Sequence, residues 1–242
     1  MWSFPTRGTW AIHDSSYRGN WAPQIPRNLI LLYSREGDLV VDPFCGGGTT
    51  AIECLLLGRK CIAIDINPMA IEQTKRKIRR LQEALVSFST HLPKIPLIQI
   101  VQGDARSMGF IRDGSVQLIC AHPPYLDSIR YTSNASEDLS NIKKPQQFYE
   151  ELKKVARECH RILKPSGYCA VLIGDIRRDG NLITLGFGTM QVFVDSGFRV
   201  HEIIIKDQHQ GSMTQFWRRR VRNGKHTFLL LAHEYLFVFR KA

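Results

Sequence analysis

The chain has 242 residues, 43% of them hydrophobic, and a formal net charge of +11. That length fits one large α/β domain, and no apolar run approaches the ~18–20 residues of a membrane-spanning helix. The opening stretch MWSFPTRGTW lacks the basic-then-apolar layout of a secretory signal, so a cytoplasmic protein is expected, and the basic excess favours a polyanionic partner such as nucleic acid.

Apolar runs and helical periods alternate along the chain. A strand over DLVVD (38–42) leads to a helix over 49–58, a strand over CIAID (61–65) and a helix over 68–85. Asn67 and Pro68 suit the N-cap and first turn of that helix. Strands follow at LIQIV (97–101) and VQLIC (116–120), then a helix over 145–163. Its Phe148, Leu152, Val155, Cys159 and Ile162 fall on one face. A strand over YCAVLIG (168–174), a helix over 184–196, and strands over RVHEIII (199–205) and YLFVFR (235–240) complete the set. Gly58 and Gly167 fall where helices should stop. This alternation predicts an α/β fold, a mostly parallel seven-stranded sheet with helices on both faces. The polar stretch DQHQGSMTQFWRRRVRNGKHT separates the last two strands without an evident helix, so an antiparallel final pair is expected. The six cysteines (Cys45, Cys54, Cys61, Cys120, Cys159 and Cys169) form no C-x-x-C pair, so buried thiols and no metal site are expected.

The stretch VVDPFCGGGTTAIECLLLGRKCIAID carries the first site. A strand ends at Asp42, three glycines (Gly46, Gly47 and Gly48) follow, and a helix opens at Thr49. Consecutive glycines allow positive φ and close approach of a ligand to the backbone, and the helix start offers free N–H groups. The next strand ends in Asp65, an acid placed to take ribose hydroxyls. Neither G-x-G-x-x-G nor G-K-[ST] is present, so the site suits a nucleoside without a pyrophosphate.

The second site is AHPPY (121–125), directly after the VQLIC strand. Together the two stretches carry a resemblance. DPFCGGGTT resembles the D-P-F-x-G-S-G-T motif, and HPPY the [DNS]-P-P-Y motif, of the amino-group (N4-cytosine/N6-adenine) DNA methyltransferases that use S-adenosylmethionine. VQGDA, WAPQIPRNLI and HEYLFVFRK are similar to further segments of that family, and the resemblance covers about residues 18–240. It implies the Rossmann-like methyltransferase fold in a single domain. Residues 1–37 would cover the cofactor, 125–147 and 206–227 would form substrate loops, and there would be no separate target-recognition domain. Asp42 would lie near the cofactor's ammonium, Phe44 would pack beside the cofactor with the Gly46–Gly48 turn beneath it, and Pro43 and Thr49 would bind it too. Asp65 and Ile66 would meet the ribose, Asp104 and Ala105 the adenine, and Pro26 the methionine end. His122, Pro123, Pro124 and Tyr125 would be catalytic.

The chemistry of the second site follows from the target. An exocyclic amine is a weak nucleophile because its lone pair is delocalised into the ring. Acceptors for its hydrogens favour the pyramidal geometry needed for attack. The Pro123 carbonyl is one such acceptor, held rigid by Pro124, and Tyr125 offers a flat face for a flipped base. Transfer is direct, with no cysteine nucleophile. His122 departs from the family's usual Asp, Asn or Ser. A neutral imidazole can accept in their place and take the released proton, whereas His⁺ cannot accept. From the reference value of about 6.5, transfer is expected to fall below about pH 6.

FWRRRVRNGKH (216–226) is the densest basic-aromatic segment, with Phe216 and Trp217 to stack and Arg218, Arg219, Arg220, Arg222 and Lys225 to meet phosphates. Arg130 and Tyr131 would touch the target strand. The expected substrate is DNA, single-stranded or at a short recognition site, with a second copy of the chain or a restriction nuclease as candidate partner. Cytosine N4 is placed ahead of adenine N6 on the general character of the chain. Two alternatives stand beside it: a methyltransferase for base amines in RNA, and a catalytically silent nucleic-acid-binding subunit, which the unusual His122 would suit.

Overall fold

A computed structural model of the chain describes residues 1–87, 94–129, 131, 138–208 and 229–241. The strands are β1 (Leu39–Asp42), β2 (Lys60–Asp65), β3 (Ile98–Gln102), β4 (Val116–Ala121), β5 (Leu163–Ile173), β6 (Ile176–Arg178), β7 (Asn181–Ile183), β8 (Phe198–Asp207) and β9 (His233–Lys241). The helices are α1 (Gln24–Tyr33), α2 (Thr49–Leu56), α3 (Pro68–Ser87), α4 (Pro145–Ile162) and α5 (Leu185–Val194). Seven strands make one sheet in the order β3-β2-β1-β4-β5-β9-β8. The first five are parallel, and β9 runs antiparallel to both β5 and β8. Strand order reverses between β1 and β4, and open α/β sheets bind ligands at such a switch point, outside the carboxyl ends of the strands. Both motifs sit there.

The central strands are apolar throughout because both faces are covered. On one face α4 presents Phe148, Leu152, Val155, Cys159 and Ile162, all fully buried, against Ile119, Val171, Phe237 and Phe239. The other face packs Ile25 and Leu29 of α1, Ile52 of α2, and Ile71 and Ile78 of α3 against Val40, Leu118, Leu172 and Val238. In α3 the basic run turns Lys75, Arg76, Arg79 and Arg80 to solvent around buried Ile78. All six cysteines are buried free thiols. Among the described residues, no helix is long and apolar enough to cross a membrane.

Two elements go beyond the sequence reading. Residues 24–33, expected within the covering segment, form α1, whose Ile25, Pro26, Leu29 and Ile30 are buried. Proline at its start is compatible with a first helical turn, where its missing N–H has no partner to lose. The β6–β7 hairpin turns at Asp179 and Gly180, whose φ values of 51 and 81° are those of a tight primed turn.

The chain's first residues close over this frame. Trp2 pairs with the β8 edge, its N–H donating to the Ile205 carbonyl at 2.8 Å while its own carbonyl accepts from the Asp207 N–H at 2.8 Å.

Candidate active site

The glycine turn is held from below and from the side. The Cys45 N–H donates to the Ile64 carbonyl at 2.8 Å, tying the turn to β2. The Gly46 N–H donates to Asp65 Oδ2 at 2.8 Å, and the Asn67 N–H to Asp65 Oδ1 at 2.9 Å. Gly48, with φ 81°, stands at the N-cap of α2. A Cβ there would come within 2.6 Å of Thr74 Cγ2, whose Oγ1 donates to the Gly46 carbonyl. Gly48 is therefore required both by its backbone and by the close approach of α3.

Above the turn lies a cavity lined by Phe44, Gly46, Asp65, Ile66, Asp104, Ala105, His122, Pro124 and Tyr131, among others. Asp138, buried beside Leu139, lines it too. Burial pushes the Asp65 carboxyl upward, and Asp138 adds to this, against the N–H donors of Asn67 and Gly46. An acid in this state gains from a cationic ligand. Asp104 is differently placed: Arg106 binds it through Nε at 2.9 Å and Nη2 at 2.7 Å, and reaches Glu151 at 2.5 Å with Nη1.

Other expected cofactor residues lie outside the lining. Pro26 is buried in α1. Thr49, at the start of α2, and Asp42 are buried below the turn. Asp42 accepts from the Thr50 hydroxyl and, at 3.0 Å, from the Phe44 N–H. Burial raises its carboxyl to about 7 despite those two donors, and Asp65 contributes to the rise. The folded chain thus holds the Asp42 proton more tightly than the unfolded chain, so stability falls as pH rises through 7. From pH 6 to 8 the loss is expected to be about 1.4 kcal/mol. Denaturant titrations at both pH values should show it in the native chain and not in Asp42→Asn.

The HPPY turn leaves β4 at the same sheet edge. It lines a second cavity with Arg7, Trp21, Ile129, Tyr131, Lys206 and Glu234. His122 and Pro124 belong to both cavities, so the two motifs share a wall. The imidazole of His122 stacks on Trp21 at 5.5 Å with 17° between planes, and its Nε2 lies 3.1 Å from the Tyr125 hydroxyl. Burial lowers its pKa to about 4. Glu234 opposes that shift and Lys206 adds to it. The expected loss of transfer below about pH 6 assumed a solvated ring; the enclosed ring stays neutral to near pH 4. Arg130 and the basic cluster Phe216, Trp217, Arg218, Arg219, Arg220, Arg222 and Lys225 lie outside the described residues. Tyr131 lines both cavities and stacks on Tyr17 at 5.7 Å.

Sequence comparison places this geometry. The profile of the DNA methylase family matches residues 1–76 and 116–242, most of the chain. The chain belongs to the DNA methylase family. A general methyltransferase-domain profile matches residues 41–171. The Type II methyltransferase M.HpaI of Haemophilus parainfluenzae is 48% identical over 68 residues, 28% of this chain and 22% of that protein. The tRNA (guanine(10)-N2)-dimethyltransferase of Methanothermobacter thermautotrophicus is 28% identical over 124 residues, 51% of this chain and 33% of that protein. The matched stretches span 16% to 33% of the length of such curated relatives. Among solved structures, an S-adenosylmethionine-dependent methyltransferase from Methanosarcina mazei superposes with TM-score 0.56 at 16% identity, over 88% of this chain and 96% of that one, which shows a common fold.

The opening segment does more than the motifs disclosed. Asn20 Oδ1 accepts from the Gly47 N–H at 3.0 Å, and the Tyr17 ring lies 3.0 Å from where a Cβ of Gly46 would stand. Glu53, fully buried in α2, anchors that segment by accepting from Trp10 Nε1 at 2.7 Å, His13 Nε2 at 2.6 Å and Arg27 Nη1 at 2.8 Å. Helical spacing alone reads an acid at position 53 as solvated. The Trp and His in the opening stretch were the available signal.

Proposed function

We propose that this DNA methylase transfers a methyl group from S-adenosylmethionine to the exocyclic amino group of a base in DNA, cytosine N4 ahead of adenine N6. The observation that carries this reading is the shared wall. His122 and Pro124 line both the glycine-turn cavity and the HPPY cavity, so two ligands bound there would meet.

The residues present fit the cofactor. Three carboxylates line the glycine-turn cavity, of which Asp104 is paired with Arg106, and the raised Asp65 carboxyl would gain from a nearby cation. Asp65 would hold the ribose, Gly46 and Phe44 the amino-acid side, and Asp104 and Ala105 the adenine. S-adenosylmethionine supplies an electrophilic methyl group on a sulfonium. The chain does the rest at the amine. The Pro123 carbonyl and the neutral His122 ring accept its two hydrogens and draw the lone pair out of conjugation, and His122 takes the proton released. Proline at both 123 and 124 keeps this acceptor geometry fixed before substrate arrives. Tyr125, Trp21 and Tyr131 give the second cavity flat walls for an extruded base. Arg7, half-buried on the same cavity, hydrogen-bonds the carbonyls of Asn20 and Asp14 and carries its charge toward a phosphate. The basic segment 216–225 would extend that contact.

Methylation of a base amine in RNA is the second reading, favoured by the match to the tRNA dimethyltransferase over half of this chain. One experiment separates the readings. The protein is incubated with methyl-labelled cofactor and either unmodified DNA or unmodified tRNA, and the digested nucleosides are weighed by mass spectrometry. N4-methylcytosine from DNA is the expected product. N6-methyladenine would correct the target base, and label in tRNA alone would install the second reading. Cofactor binding with no transfer to either would make the chain a silent subunit.

A further inference from the structure

The HPPY cavity holds a row of side chains that runs from the motif onto the last two strands. Lys206 of β8 and Glu234 of β9 face each other across the final strand pair. Lys206 Nζ donates to Glu234 Oε2 at 2.8 Å, and the Tyr125 hydroxyl donates to Glu234 Oε1 at 2.8 Å. His122 Nε2 completes the row, 3.1 Å from the Tyr125 oxygen. All four residues line the cavity.

Counting protons fixes the direction of each bond. Burial acts to raise the Glu234 carboxyl, but the Lys206 ammonium and the Tyr125 hydroxyl hold it below its ordinary value. Glu234 is therefore ionised and can only accept. A phenol has one proton, and the carboxylate is the strongest acceptor in its reach. The Tyr125 oxygen is then left to accept from His122, so Nε2 must carry hydrogen. A neutral imidazole has one N–H, so Nδ1 is bare. No described residue hydrogen-bonds Nδ1, and the ring it belongs to borders both cavities while Trp21 holds its plane.

We propose that Glu234, backed by Lys206 and acting through Tyr125, is a positioning residue that fixes His122 in its Nε2–H form and so presents Nδ1 as an acceptor to the substrate. The identity of the substrate group rests on the amine-methylation reading above; the tautomer lock does not. Together they define a selection. A base offering an N–H to Nδ1 is accepted, and a base offering a carbonyl at the same ring position meets a second acceptor and is rejected. Cytosine is thereby separated from uracil and thymine, and adenine from hypoxanthine.

The lock is read by nitrogen NMR on protein labelled with ¹⁵N-histidine, with His122→Asn supplying the assignment. Bare and protonated ring nitrogens resonate far apart. The native chain is expected to show a bare Nδ1 and a protonated Nε2. In Glu234→Gln the carboxamide can donate to the phenol oxygen, the phenol then donates to Nε2, and the Nδ1–H form is expected to appear. The same variant is expected to lose about tenfold in kcat with an unchanged KM for the cofactor. Tyr125→Phe breaks the row without leaving Lys206 unpaired, and is expected to give a mixture of tautomers; it decides the matter if Glu234→Gln does not fold. A native ring protonated at Nδ1, or native tautomers in both variants, would overturn the proposal. Absence of methyl transfer by a native chain that shows the Nε2–H form would remove the amine reading and leave the lock in place.

Discussion

Alanine at position 122 is expected to lower the rate constant for methyl transfer by about 10²–10³-fold while S-adenosylmethionine still binds. The His122 ring lines both cavities and can accept from an amine, and alanine leaves the Pro123 carbonyl without that second acceptor. Asparagine is the informative comparison. It restores an acceptor oxygen of the kind that the family motif supplies, so His122→Asn should keep activity within about tenfold of the native chain. Equal loss in both variants would show that the ring matters for its stack on Trp21 rather than for accepting. The pH profile adds an independent reading. The active form is the neutral ring, and burial lowers its pKa to about 4. Activity from His122 is therefore present above that value and lost as pH falls through it. Rates should be flat from pH 8 to 5 in single-turnover assays, and a fall centred near 6 would mean that the ring is solvated in the working enzyme.

Removing the Glu53 carboxylate is expected to cost about 3–5 kcal/mol of stability. Its two oxygens take three donors, and those on Trp10 and His13 come from the opening segment. In Glu53→Ala the buried His13 donor and the half-buried Trp10 donor lose their acceptor, a loss of about 1–3 kcal/mol for His13 and less for Trp10. Arg27, which also lies over the Trp10 ring at 5.6 Å, loses its ion pair. Calorimetry and denaturant titration measure the cost. A second effect follows from what the segment carries. Asn20 is bonded to Gly47, and Tyr17 lies against Gly46, so cofactor affinity should fall with the anchor. A stability change below about 1 kcal/mol would show that the segment is held by other contacts.

The parallel half of the sheet was legible because its strands are short apolar runs separated by amphipathic helices. Each of β1 to β4 lies within one or two residues of its expected bounds. The same holds for α4, whose apolar face repeats with helical spacing. The glycine turn and HPPY were legible as chemistry because both stand where a strand ends. What escaped was long-range pairing of polar groups. Glu53 looks like any acid on a helix until residues 10, 13 and 27 fold onto it. Glu234 sits in an apolar strand, and only the register of β8 against β9 sets Lys206 opposite and Tyr125 above it. The β6–β7 hairpin carried a local signal, the Asp179–Gly180 pair at its turn, but its strands are three residues each, too short for a periodicity to show. The enclosure of His122 depends on Trp21, a neighbour about a hundred positions away, so its neutral state could not be read from the motif.

The joint between Trp2 and the β8 edge bears on how the molecule is made. Ser3 and Asp207, beside that joint, are 204 positions apart. During synthesis the opening residues emerge long before the strand on which they will rest, and chains dominated by such distant pairings fold slowly. The opening segment also roofs the ligand cavities through residues 17–21, so one end of that roof can dock only after β8 has been made.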